Sequence, residues 1–128
     1  MTTDLTMLVY SALLTLVLAF PRVVALIMAK GLPIAAGNRD VDYPLSDWAE
    51  RAGRAHRNMV ENLPVFAALV LVAHVAGASN ESTALGATLF FWARVAHAVI
   101  YVAGIVYLRT AAFGVGLIGL LMIVSQIL

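Results

Sequence analysis

Cysteine is absent from the chain, and charge is scarce. The first absence excludes disulfides, thiolate metal sites and a cysteine nucleophile, so any thiol chemistry has to use a thiol brought by the substrate. The second absence says more. Charged residues fill 12% of the 128 positions and hydrophobic residues 62%, where a soluble domain carries about 25% charge. Mean hydropathy is +0.95. A net charge of +1 implies no bulk electrostatic partner and argues against nucleic acid. Internal repeats, low-complexity tracts and linkers are missing too, and no metal site is assigned. After Met1 there is no basic stretch of the kind a secretion signal carries, so the first apolar run is expected to be retained. What is left is the composition of an integral membrane protein with a single domain, residues 1–128.

Four apolar stretches are long enough for a hydrocarbon core that needs about 20 residues. The expected helices cover about 4–30, 46–77, 83–107 and 111–127. The fold class is therefore all-α: a four-transmembrane-helix bundle running up-down-up-down. Gly31 to Pro44 reads as a loop, Ser46 as an N-cap, and Arg109-Thr110 as a tight turn. Gly114, Gly116 and Gly119 give the last helix small residues for close packing. Lys30, Arg39 and Arg109 fall in the first and third connections, with Arg51 and Arg54 nearby. The positive-inside rule then puts those connections in the cytoplasm and both termini on the opposite side.

The charge that is present is concentrated in Glu50–Pro64, which runs directly into the apolar Val65–Gly77. At 100° per residue, Arg51, Arg54, Asn58 and Glu61 fall within about 80° of arc, with Arg57 beside them, one turn before Glu61. On the third helix Arg94, His97 and Tyr101 share about 60° of arc. Ionisable groups at mid-bilayer cost about 2.5–3.5 kcal/mol on insertion scales, so both stripes are expected to face protein or a watery cleft. Arg22 lies about 12 Å below Lys30 on the first helix and needs a partner that the sequence does not name. Guanidinium forks with a carboxylate and an amide suit a small zwitterion carrying more than one carboxylate. Glu61 would receive its ammonium and Asn58 a peptide group. Headgroup contact by the arginines, a structural Arg57–Glu61 pair, and Arg94 as interhelical glue are the plainer alternatives.

The run Glu50-Arg51-x-x-Arg54-Ala55-His56-Arg57-Asn58-x-x-Glu61, followed by Pro64, resembles the signature of the MAPEG family, the membrane-associated proteins in eicosanoid and glutathione metabolism. Arg94-Val95-Ala96-His97-x-x-x-Tyr101 with Arg109 is similar to the helix-three segment of its microsomal prostaglandin E synthase; the overall character is that of a bacterial-type microsomal glutathione transferase-like member. The resemblance implies a homotrimer with glutathione, as co-substrate, bound between subunits near the cytoplasmic face. It carries glutathione contacts onto Lys30, Arg54, Arg57, Asn58, Glu61, His97, Tyr101 and Thr110. Arg109 matches the catalytic arginine that stabilises the thiolate. Three departures stand out. Lys30 replaces an arginine, Asn62 replaces a tyrosine of leukotriene C synthase, and the Tyr101–Arg109 spacing is one residue shorter than in the prostaglandin enzyme.

The expected function is a glutathione-dependent membrane enzyme. It would conjugate glutathione to a lipophilic small molecule, reduce lipid hydroperoxides, or both, with membrane lipids as its surroundings. The alternative is a non-catalytic lipid-binding scaffold or an accessory subunit of a larger membrane complex. A small four-helix exporter fits the size, but Glu61 sits among arginines that hold it ionised, which ill suits proton coupling.

Overall fold

The computed structural model describes all 128 residues, Met1–Leu128. Six helices follow in order: α1 Thr3–Leu18, α2 Phe20–Lys30, α3 Leu32–Ala36, α4 Asp47–Val75, α5 Glu81–Ala103 and α6 Val106–Ile127. Together α1 and α2 form the first candidate span, Thr3–Lys30, and α4, α5 and α6 form the other three. The four-span, all-helical architecture expected from hydropathy is therefore present.

Each helix end has a local cause. Pro21 sits in the first turn of α2, where its missing N–H leaves no bond unmade, so α1 and α2 meet at Ala19 as two helices. The loop after Lys30 contains the one-turn helix α3, which its glycines and prolines do not announce. Ser46 does occupy the cap position of α4, but its hydroxyl makes no capping bond; Asp47 and Glu50 supply the anions that the first turn favours. At α5 a capping box forms between Asn80 and Thr83. Thr83 Oγ1 also donates to Asp4 Oδ2 at 2.7 Å, and Asn80 Nδ2 donates to Gln126 Oε1 at 2.6 Å. These bonds tie the starts of α1 and α5 to the end of α6.

Two expected boundaries are corrected. Helix α5 stops at Ala103 and not at Tyr107, because Gly104 adopts a left-handed conformation with φ 82°. Helix α6 restarts at Val106, so Arg109-Thr110 is not a turn but lies in the first turns of the fourth span. The reversal falls within an apolar stretch, which is why no polar cluster marked it.

Packing centres on α5, which lies against α1, α4 and α6, while α1 and α6 do not pack on one another. The core is built from Met59, Phe66, Val70 and Ala73 of α4, Ala87 and Phe90 of α5, and Leu120 and Ile123 of α6. Phe66 and Phe90 stack at 4.1 Å between centroids. The crossing of α5 and α6 depends on two glycines. A Cβ on Gly119 would lie 2.4 Å from the carbonyl oxygen of Gly86, and one on Gly86 would lie 2.5 Å from that of Gly119. Backbone cannot yield as a flexible side chain does, so neither site has room for a methyl. We expect Gly119→Ala to destabilise the bundle by about 1–3 kcal/mol, the usual cost of overpacking. Gly114→Ala is the control, since a Cβ there meets nothing within 4 Å. Thermal unfolding of both variants in detergent micelles checks the contrast.

Candidate functional site

The stripe on α4 divides. Arg51 and Asn58 turn toward α5 and are half-buried, whereas Arg54, Arg57 and Glu61 are exposed on the outside of the protomer. The chain's ion pair is Arg22–Glu50 at 3.3 Å, so the anticipated Arg57–Glu61 pair does not form. Arg22 thereby gains the partner its position demanded. Its side chain runs across Gly53, where a Cβ would lie 2.6 Å from Arg22 Cδ. A cleft of about 640 Å³ opens beside this pair, with His56, Arg57 and Asp42 on its wall. That volume lies within the range of about 300–1,000 Å³ typical of ligand sites.

The inward residues form a second group. Arg94 is 2% exposed and donates through Nη2 to Asn58 Oδ1. Asn62 Nδ2 donates to the Asn58 carbonyl oxygen at 2.7 Å and reaches Asn58 Oδ1 at 3.4 Å. One turn beyond Arg94, His97 is 3% exposed, and its Nδ1 has no hydrogen-bond partner. Its ring lies edge-on to Tyr101 at 5.6 Å and 6.4 Å from Phe113 of α6. The Arg109 guanidinium sits over the Tyr101 ring at 4.3 Å from the centroid. Such cation–aromatic contacts fix a guanidinium without neutralising it. Asn58, Arg94, His97, Tyr101 and Arg109 thus line up from α4 across α5 to α6.

Lys30 and Thr110 are exposed and stand outside this line. Nor was every member of the two groups expected. Glu50 and Arg94 were absent from the anticipated contact set, although Arg94 already shared an arc with His97. Arg51 plays a different part, for its Nε donates to the Val102 carbonyl at 2.9 Å. Gly104 and Ile105 N–H groups turn back to Ile100 and Tyr101, which leaves the Val102 carbonyl free at the end of α5. Arg51 caps it. A short apolar groove of about 320 Å³ between α1 and α5 is lined by Leu14, Val95 and Val102 among others; Leu18 borders both it and the polar cleft. No group of three or more His, Cys, Asp or Glu is placed to hold a metal ion.

Spanning helices that turn an arginine, a histidine and a tyrosine inward, and arginines and a glutamate outward, define a multi-pass membrane protein with its polar site cut into the helices themselves. The model of the MAPEG family matches residues 5–128, nearly the whole chain, and the chain belongs to that family. Membership makes it, at family level, a membrane protein of glutathione or eicosanoid metabolism. No curated protein and no solved structure matches it significantly.

The capping role of Arg51 is testable apart from any ligand. Arg51→Met should cost about 1.5–3 kcal/mol, the usual worth of a hydrogen bond to a charged group. Faster amide exchange should be confined to Gly104 and Ile105, read by mass spectrometry.

Proposed function

We propose that this protein is a glutathione-dependent membrane enzyme acting on lipophilic electrophiles, lipid hydroperoxides, or both. The observation that carries the reading is Arg109 over Tyr101 at 4.3 Å, beside His97 and with no carboxylate paired to it. A cation held in place and left unneutralised lowers the pKa of a neighbouring thiol from about 8.5 and raises its thiolate fraction. The thiol gives its proton to solvent, and the thiolate attacks. With an electrophilic carbon, a C–S bond forms as the leaving group departs with its electron pair. With a hydroperoxide, the O–O bond breaks, and a second glutathione completes a disulfide, alcohol and water.

Two features support shared sites between copies of the chain. Arg54, Arg57 and Glu61 are exposed on a helix that enters the membrane. Facing lipid, such charges are costly; facing another copy, they complete a polar cavity. Second, Arg54, Arg57 and Glu61 share the outward arc of α4 while Asn58 faces Arg94 of α5, so a tripeptide reaching both sides of the stripe is best held where two chains meet. A homotrimer, with glutathione meeting Arg54, Arg57, Asn58, Glu61 and Tyr101 and with His97 buried behind Tyr101, fits these constraints. The Leu18 border between polar cleft and apolar groove suits a hydrophilic and a lipophilic substrate brought side by side. Lys30 and Thr110 would contribute only at the rim. Lys30 and Arg39 at the first connection, with Arg109 in the first turn of α6, favour the cytoplasmic side for this end of the bundle.

Adding glutathione to the purified protein should raise absorbance near 240 nm, about where a thiolate of lowered pKa absorbs. Arg109→Ala should lose that signal while keeping measurable glutathione affinity, and its residual activity should require higher pH. Absence of glutathione binding at millimolar concentration overturns the reading and favours a non-catalytic scaffold.

A further inference from the structure

The Cα of Arg94 lies about 13.5 Å along α5 from Ala103, taking 1.5 Å per residue. The residue is 2% exposed. Its hydrogen-bond partner within the protomer is Asn58 Oδ1, and its Nε is buried without an acceptor. No carboxylate is paired with it. A buried charge answered by one amide oxygen holds that oxygen firmly, because releasing it leaves the cation with nothing.

This settles which way the Asn58 amide faces. Arginine has donors and no acceptor, so only the oxygen of Asn58 can meet it. Asn62 Nδ2 adds a second donor on the same oxygen, at 3.4 Å, and its main bond to the Asn58 carbonyl at 2.7 Å fixes its own orientation. Asn58 Nδ2 is then turned away from Arg94. It makes no hydrogen bond in the protomer and is not among the sealed, unpartnered atoms, so it reaches accessible space.

We infer that Arg94 is a positioning residue: it locks Asn58 so that the site presents an N–H donor there, and the ligand group meeting Asn58 is an acceptor, a carbonyl or carboxylate oxygen. Arg94 itself does not touch the ligand. This rests on the proposed glutathione site and narrows it, since an ammonium or amide N–H of the ligand is excluded at that point.

A double-mutant cycle on glutathione Kd tests it, using full-length protein in detergent micelles. Asn58→Ala is expected to weaken binding about tenfold, the equivalent of one hydrogen bond. Arg94→Met should weaken it by a similar factor, and the double variant no further, because both remove one oriented donor. Arg94→Lys, which keeps a donor to the oxygen, should recover part of the loss. Fold-changes that multiply in the double variant, or wild-type Kd in Arg94→Met, overturn the inference while leaving glutathione binding intact. Should Arg94→Met not fold, Asn58→Asp decides the point. It keeps the Arg94 contact but offers no donor, so wild-type affinity there also overturns the inference, and loss supports it. A wild-type protein that binds no glutathione removes the proposed function itself, and the inference falls with it.

Discussion

Arg94 carries a full positive charge into the middle of the bundle, and a single amide oxygen answers it. Everything near it is arranged around that need. The charge cannot face lipid, so α5 must turn this side toward α4. Asn58 then has to supply an oxygen, and Asn62 braces it from one turn further along. His97, following on the same face, inherits the interior position and comes to rest against Tyr101 and Phe113. The polar line from α4 to α6 is therefore less a collection of independent residues than the consequence of one charge placed where water is not.

The close approach of α5 and α6 serves the same end. Gly86 and Gly119 bring two backbones into contact, which draws the first turns of α6 toward the last turns of α5. Arg109 reaches the Tyr101 ring for that reason. On the far side, Arg22 and Glu50 play a comparable part between α2 and α4. That pair is about one-third exposed, so it orients more than it stabilises. The protomer thus has a closed polar line on one side and an open polar cleft on the other, with the outward charges of α4 between them.

Hydropathy made the four spans legible, because length and apolar content are enough to decide them. Periodicity made the two stripes legible, and the isolation of Arg22 signalled a missing partner. Four things were hidden. An arc of about 80° is broad enough to be shared between two neighbours, so spacing alone did not separate Arg51 and Asn58 from Arg54 and Glu61. The partner of Arg22 is distant in sequence, and Glu50 looked sufficiently explained by its place near a helix start. Arg57 and Glu61 had the separation for a pair, yet both side chains extend outward without meeting. The end of α5 was hidden by its surroundings. Glycine at 104 is one of nine in the chain, and its neighbours Val102, Ala103, Ile105 and Val106 continue the apolar run.

That concealed break has an evolutionary corollary. On an unbroken helix, residues eight apart lie about 12 Å from one another and about 80° out of phase. Tyr101 and Arg109 touch because the chain resets its direction between them. A segment that resets direction absorbs a change in its length better than a helix does, so a residue gained or lost at 104–105 is expected to disturb the meeting of arginine and ring less than one gained or lost inside either helix. Beyond Val106 that freedom ends, since one more residue would swing the guanidinium about 100° around the axis of α6. Spacing between these two positions is therefore a poor guide to kinship, and phase within α6 a good one.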